Sequence, residues 1–298
     1  MNTILNVEKI CKSFGKNKVL NEVSFKIKKG QILGFIGPNG AGKTTAIKLI
    51  LGLQLMDSGE VYINNYHIKK DYENAIAKVG AIVENPDLYL FLTGRQNLRL
   101  FSRYYGEVDE KYLDYLLEKV NLIGRADDKV SNYSLGMRQR LGIAVSLINH
   151  PNLLVLDEPT NGLDPEGIKD LRDIIIKLAK TENIGVLISS HNLAELDGFC
   201  NRICLIDKGQ IIKDINLDTL KNSEKPVFFI KLDKLSKIDK YLVKGDKVLE
   251  NGISVSRSDE DISKLIKELV LDGYNIYEVR RELLSLEEAY LKIMGGNL

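Results

Sequence analysis

The sequence lacks the features that mark a membrane-spanning or secreted chain. No apolar run in its 298 residues approaches the ~20 residues that a helix needs to cross a bilayer. The first residues, Met1 to Ile4, have neither the basic start nor the apolar core of a signal peptide. If this protein acts at a membrane, we expect other chains to supply the spans.

The chain also has few cysteine residues and a net charge close to zero. The three cysteines, Cys11, Cys200 and Cys204, are too few for a secreted disulfide scaffold and fit a reducing cytosol. Cys200 and Cys204 have no second Cys or His pair nearby, which favours buried thiols over a zinc site. The 42 basic and 41 acidic residues leave a net charge of +1, so we expect no nucleic-acid partner.

Short apolar runs of the kind found in buried strands recur along the chain. Such runs occupy 32–36, 153–156, 185–188 and 203–206, and a helical pattern at 165–180 separates the second run from the third. Strand, helix and strand in this order predict an α/β fold with a mostly parallel core sheet that is covered on both faces.

The regions around this core have different patterns. Residues 3–36 predict short strands with turns that include an antiparallel β subdomain, and apolar and polar residues alternate over 19–27. Apolar residues at helical spacing predict a helical insertion over about 87–145. The composition shifts near Lys221 to Pro226. We therefore predict two domains, 1–222 and 223–298.

The second of these domains is predicted to be a small α/β appendix. Its expected elements are a strand at 227–232, a hairpin over 247–255, a helix at 260–271, a strand at 274–279 and a last helix that opens with the capping box of Ser285 and Glu288.

A glycine-rich segment fits the phosphate-loop pattern G-x-x-x-x-G-K-[ST] at every fixed position. Its residues are Gly37, Pro38, Asn39, Gly40, Ala41, Gly42, Lys43 and Thr44. The glycines let backbone N–H groups point at phosphates, Lys43 can reach the β- and γ-phosphates, and the Thr44 hydroxyl can bind Mg²⁺. The alternative is a plain glycine-rich turn. The position of the segment between a buried strand and a helix favours a phosphate loop, because a phosphate loop requires that context.

Two carboxylates end the apolar run at 153–156. Ligands of parallel α/β sheets bind beyond the carboxyl ends of the strands, so Asp157 could hold Mg²⁺ and Glu158 could orient or deprotonate an attacking water. The alternative, a polar strand end with solvated charges, is weakened by the phosphate loop in the same chain.

These motifs resemble, in identity and order, those of the ATP-binding-cassette (ABC) ATPases over residues 3–220. The phosphate loop extends to Thr45, and the segment from Pro159 to Pro165, which contains Asp164, is similar to the D-loop of that family. His191 follows a strand where the family places its switch histidine. Phe14 stands where an aromatic residue stacks on adenine, although a core position is the alternative.

Two segments depart from the family pattern. The family signature Leu-Ser-Gly-Gly-Gln is Tyr-Ser-Leu-Gly-Met here, which retains Ser134 and Gly136. Glu84 replaces the usual glutamine of a loop that links nucleotide to the transmembrane partner, and its oxygen can still ligate Mg²⁺. Both departures resemble the lantibiotic- and bacitracin-resistance exporters.

The resemblance implies an ATPase that uses ATP and Mg²⁺ and acts from the cytoplasm at the inner face of the cell membrane. Glu158, His191, Lys43 and Glu84 are its expected catalytic residues. It also implies transmembrane permease subunits and a second cassette, whose Ser134–Gly136 segment completes each ATP site. One alternative is a soluble cassette protein that acts on ribosomes or DNA, which is disfavoured because this chain has a single cassette and a net charge near zero. The other alternative is a non-catalytic nucleotide sensor.

One further set of residues has two interpretations. Aromatic side chains cluster within the predicted helical insertion: Tyr89, Phe91, Phe101, Tyr104 and Tyr105. They can form a local core, or they can line a groove that docks a helix of a partner.

Overall fold

A computed structural model describes residues 3–106, 109–196, 198–217, 226–243 and 245–282. The chain forms two compact units, Met1–Ile215 and Asn216–Leu298. The predicted capping box of Ser285 and Glu288 lies outside the described residues.

The strands that the structure describes are numbered in chain order. They are β1 (Thr3–Phe14), β2 (Asn17–Lys28), β3 (Ile32–Ile36), β4 (Ser58–Ile63), β5 (Tyr66–His67), β6 (Val79–Ile82), β7 (Leu153–Leu156), β8 (Gly185–Ser190), β9 (Arg202–Asp207), β10 (Gln210–Asn216), β11 (Val227–Leu232), β12 (Lys247–Leu249), β13 (Gly252–Ser256) and β14 (Ile276–Glu282).

The α-helices that the structure describes are α1 (Lys43–Ile50), α2 (Tyr72–Ile76), α3 (Gly94–Ser102), α4 (Glu110–Lys119), α5 (Leu135–Ser146), α6 (Pro165–Glu182) and α7 (Asp259–Leu271). Within the described ranges, no helix is both long enough and apolar enough to cross a membrane.

The central sheet of the first unit confirms the predicted parallel core. Its order is β10-β9-β3-β8-β7-β6, and β3 pairs in parallel with β8 and β9, as β7 does with β6 and β8. Strands β3, β7 and β8 are buried at every residue, as expected of parallel strands that are covered on both faces. The strand order brings the ends of β3, β7 and β8 together, although these strands are far apart in sequence.

A second sheet and a set of helices flank this core. Strands β1 and β2 form the predicted antiparallel subdomain, and β4 and β5, which lie outside the predicted range of residues 3–36, complete its sheet. The buried side chains of this sheet join the core of the central sheet. The predicted helical insertion contains α3, α4 and α5. A capping box of Thr93 and Gln96 starts α3, and Asp164 caps α6 ahead of a proline at its first turn.

The second unit is a four-stranded antiparallel sheet in the order β12-β13-β11-β14. Strands β13 and β14 both pair antiparallel with β11 and so run parallel to each other, with α7 as the connection, which is a split β-α-β unit. Alternate residues of β11 pack with Ile262, Leu265 and Leu269 of α7 in a separate core. The predicted hairpin turns at residues 250–251, one position before the expected Asn251-Gly252 turn.

Cys200 and Cys204 are free and buried, which confirms the prediction of buried thiols. Burial raises the pKa of both thiols well above the ordinary value. Both cysteines are therefore neutral packing residues at physiological pH.

Candidate active site

The glycine-rich segment connects β3 to α1, as the sequence predicts. Gly40 and Gly42 have φ angles of 81° and 102°, which L side chains rarely adopt. Gly37 has no room for a side chain because a Cβ atom there would lie 2.1 Å from the carbonyl oxygen of Ile206. The loop conformation thus depends on glycine at these positions.

The backbone of this loop leaves several donors available. Gly37 N–H donates to Ser190 O and Ala41 N–H to Pro38 O. Within the described part of the chain, the N–H groups of Asn39, Gly40 and Gly42 donate to no protein acceptor. Unpartnered N–H groups beside a helix N-terminus suit a phosphate group.

Lys43 is the first residue of α1, and its side chain is folded into the loop. It is only 6% exposed. Its Nζ donates to Gly37 O at 2.7 Å and to Pro38 O at 3.3 Å, and lies 3.1 Å from Glu158 Oε1. A buried ammonium is stable only when it is paired in this way. Thr44 and Thr45 follow in the first turn of α1 and are half-buried.

The acidic pair lies directly beyond the end of β7. Asp157 is 1% exposed, and its Oδ1 accepts from Ser189 Oγ at 2.6 Å. The same Ser189 hydroxyl accepts from Glu158 N–H at 2.8 Å. Glu158 has a φ of 49°, a left-handed conformation that is uncommon outside glycine. Neighbouring strands thus fix both carboxylates at one edge of the sheet.

His191 follows β8 directly, as the sequence predicts, and contacts the second oxygen of Glu158. Its Nδ1 lies 2.7 Å from Glu158 Oε2, while Lys43 Nζ holds Oε1 of the same carboxylate. Three predicted site residues from three separate segments therefore converge on one contact network.

The sequence predictions missed Ser189, which belongs to this network, and Glu195, which binds Thr160 and Ser190 next to it. Ser189 is fully buried between Asp157 and the backbone of Glu158. Glu195 Oε2 accepts from Thr160 Oγ1 at 2.5 Å and from Ser190 Oγ at 3.3 Å. Two serines that end an otherwise apolar strand were the available clue.

Glu84 lies outside this network. Its Oε1 is 2.8 Å from Lys48 Nζ on α1, and the Glu84 side chain is 63% exposed. The hydrogen bond from Lys48, together with its charge, lowers the pKa of the Glu84 carboxyl below the ordinary value. Glu84 is therefore an ionised carboxylate at neutral pH, bound to the helix that follows the phosphate loop.

The signature segment and the D-loop segment are neighbours in space. Ser134 caps α5, its Oγ accepting from Met137 N–H at 3.2 Å, while Asp164 caps α6 by accepting from Gly167 N–H at 2.9 Å. The Gly136 backbone lies close to Leu163, because a Cβ atom added to Gly136 would be 3.8 Å from Leu163 Cδ2. Both segments therefore present helix N-termini on one side of the first unit.

Phe14 ends β1 with 47% of its surface exposed. The Lys12 ammonium lies 5.3 Å from the centre of the Phe14 ring. An exposed ring with a cation beside it is available for stacking, and its exposure is not that of a core phenylalanine.

The residues present fit a nucleoside triphosphate with a divalent cation. The loop supplies backbone donors and an ammonium, while Asp157 supplies a carboxylate oxygen close to them. Among the described residues, no cluster of three or more His, Cys, Asp or Glu side chains forms a metal site by itself. A divalent cation at this edge would therefore take part of its ligand set from phosphate oxygens, hydroxyls or water.

Comparison with known proteins agrees with this geometry. The ABC transporter family model matches residues 20–161. A bacitracin transport ATP-binding protein of Bacillus licheniformis is 35% identical over 306 residues, covering 99% of both chains. A lantibiotic transport ATP-binding protein of Streptococcus pyogenes is 42% identical over 222 residues, covering 74% of this chain and 94% of that one.

A solved structure is also similar. The dimeric ATP-binding cassette in a post-hydrolysis state, with ADP and Pi bound, superposes with a TM-score of 0.64 at 25% identity, covering 72% of this chain and 99% of that one. The chain therefore belongs to the ABC transporter family as one of its ATP-binding, ATP-hydrolysing subunits, related to bacitracin and lantibiotic transport proteins.

Proposed function

We propose that this chain drives the export of an antimicrobial peptide or a similar amphipathic drug through separate transmembrane subunits. The observation that carries this proposal is the similarity to a bacitracin transport ATP-binding protein along 99% of the chain. That similarity extends through the second unit, so it is not confined to the ATPase core. Cytoplasmic placement at the inner face of the membrane belongs to the same proposal.

We assign the hydrolytic roles from the contact network. Glu158 is the general base that orients and deprotonates the attacking water, and His191 holds the opposite oxygen of its carboxylate and faces the γ-phosphate. Lys43, which is bound to Glu158 and to loop carbonyls, exchanges these contacts for phosphate oxygens when ATP binds. Releasing Lys43 also frees Glu158 to act on water.

We place a magnesium ion between the phosphates and the end of β7. Thr44 and Asp157 would hold it, and Glu84 would join them only by leaving Lys48. When bound, Mg²⁺ neutralises charge on the β- and γ-phosphates. Ser189 keeps Asp157 in place through its hydrogen bond.

A second cassette is the partner we propose for the exposed phosphate site. Ser134 and Gly136 start α5, and the positive end of that helix would contact the γ-phosphate bound by the other copy. Asp164 caps α6 between Leu163 and Gly167, which both lie close to Gly136. Phe14 would stack on the adenine of its own chain.

We propose that the permease docks on the aromatic surface of the helical insertion. Phe91 and Tyr104 are 69% and 80% exposed, and the Tyr89 ring lies 5.8 Å from Phe91 and 6.0 Å from Phe101. Exposed aromatic side chains suit the apolar face of an amphipathic helix. The domain assignment, an ATPase domain at 1–222 and an accessory domain at 223–298, is part of this proposal.

Antibiotic susceptibility of the native host tests the proposal. In a strain whose own copy is deleted, wild-type protein should raise the minimal inhibitory concentrations of bacitracin and of a lantibiotic, and Glu158→Gln should not. Glu73→Gln, at an exposed acid in the first turn of α2, is the matched control. Equal susceptibility with and without wild-type protein would contradict export of such peptides while leaving the ATPase assignment intact.

A further inference from the structure

Strand β14 is an edge strand with exposed apolar side chains. It lies at the end of the second unit's sheet, and no described strand pairs with its outer side. Tyr277 is 66% exposed and Val279 is 41% exposed. A seven-residue edge strand with apolar side chains is a template for pairing with another strand.

The two faces of β14 carry different residues. Arg280 pairs with Phe229 of β11 and its guanidinium lies 4.7 Å from the centre of that ring, so both point to one face. Glu278 shares this face because side chains alternate along a strand, and its Oε1 is 3.7 Å from Arg280. Val279 and Arg281 point to the other face, where α7 packs, because they pair with Ile230 and Phe228 of the core shared with α7.

The charges along β14 are complementary to a second copy of the same strand. When two antiparallel copies pair about Val279, Glu278 of each copy faces Arg280 of the other on one face. Opposite charges directly across two strands stabilise the pairing.

Symmetric pairing in any neighbouring register places like charges together. The twofold axis that relates two antiparallel copies is perpendicular to the sheet, so each side chain stays on the same face in both copies. Residues directly opposite each other share a face, and the residue at the axis therefore lies opposite its own copy. Centring the pair on Glu278 opposes two carboxylates, and centring it on Arg280 or Arg281 opposes two guanidinium groups. Like charges directly opposite destabilise a strand pair, whereas centring the pair on Tyr277 opposes two uncharged rings and leaves Glu278 without an opposite charge across the strands. Among these registers, only the one centred on Val279 places opposite charges across the strands without opposing like charges.

We propose that the second unit is a self-association module in which β14 pairs antiparallel with β14 of a second copy in the register centred on Val279. The product is a continuous eight-stranded sheet made from the two four-stranded sheets. This contact needs neither ATP nor a permease. It would keep two cassettes together between catalytic cycles, and its failure is distinguishable from failure of the export proposal.

Charge reversal tests the register on the full-length protein without nucleotide. After treatment with apyrase and EDTA, sedimentation velocity and native mass spectrometry should show a dimer of the wild-type chain. Glu278→Arg and Arg280→Glu each place like charges across both symmetry-related pairs, and each should raise the dimer dissociation constant by at least about tenfold. Lys247→Glu on β12, at the opposite edge, should leave the dissociation constant unchanged.

Two further samples separate the proposed contact from misfolding. The double variant Glu278→Arg/Arg280→Glu restores opposite charges and should dimerise again. An equimolar mixture of the two single variants should form a heterodimer, because two arginines of one chain then face two glutamates of the other. A monomeric wild-type chain, or a mixture that stays monomeric, would overturn the proposal and indicate that these charges protect the edge from pairing.

Discussion

Lys43 Nζ lies 3.1 Å from Glu158 Oε1, so the phosphate-binding lysine and the proposed general base neutralise each other. Both side chains are shielded from solvent, with exposures of 6% and 16%. Each group would otherwise be a poorly hydrated charge. Binding of phosphate to Lys43 therefore changes the environment of Glu158 at the same time.

Replacing Glu158 by glutamine should separate ATP binding from hydrolysis. We expect turnover to fall by at least about 100-fold, because a positioned general base contributes 10²–10⁴-fold to such reactions. ATP affinity should be retained, because Lys43 and the loop donors remain. Phosphate release and equilibrium nucleotide titration measure the two effects. Glu73→Gln is the control, and full-rate hydrolysis by Glu158→Gln would refute the base assignment.

The Glu84–Lys48 ion pair predicts how turnover responds to pH. Because the pKa of the Glu84 carboxyl is lowered, Glu84 is ionised at every pH above the ordinary carboxyl pKa of 4.5. The ion pair is lost only as the pH falls through the lowered pKa. Wild type and Glu84→Gln should therefore show pH–rate profiles of the same shape at neutral pH. Profiles that diverge between about pH 6 and pH 8, where histidine titrates, would mean that Glu84 protonates during turnover.

Gly37→Ala should damage the phosphate loop through packing alone. A Cβ atom there would lie 2.1 Å from Ile206 O and 2.9 Å from Ile206 Cγ2, so β9 or the loop must move. Overpacking of this kind costs about 1–3 kcal/mol of unfolding free energy. Chemical denaturation and ATP titration should both detect the loss. Gly124→Ala, with no atom within 4 Å of the new Cβ, should change neither quantity.

Asp246 should make the second unit sensitive to acid. Its carboxylate is 1% exposed and binds Arg257 and the Val243 N–H group. Burial raises the Asp246 pKa, but the hydrogen bonds lower it more, so it lies below the ordinary 3.8. The stabilisation is therefore present above pH ~3.8 and is lost as pH falls through the lowered pKa.

Asp246→Asn tests this pair directly. We expect it to lower the unfolding free energy by about 1–3 kcal/mol at neutral pH, because Arg257 loses its charged partner. The difference from wild type should shrink below about pH 4 as Asp246 protonates in the wild-type chain. Thermal unfolding of the full chain at several pH values measures both effects. Asp239→Asn, at an exposed position, is the control; an unchanged melting temperature for Asp246→Asn would contradict the predicted stabilisation.

The sequence by itself determined the features that depend on near neighbours. The phosphate loop, the acidic pair after β7 and the strand-helix alternation are local patterns, because glycine spacing and apolar periodicity act over a few residues. The Glu84 substitution was visible as well. Its ion pair with Lys48, 36 residues away, was not.

Only the tertiary structure decided which distant residues meet. Ser189 reaches Asp157 because β7 and β8 are adjacent strands, and Lys43 reaches Glu158 because β3 and β7 both flank β8. The edge position of β14 likewise follows from strand order, which long-range pairing sets and local periodicity does not record. Contacts between residues of separate strands therefore bring the sequence motifs together in one site.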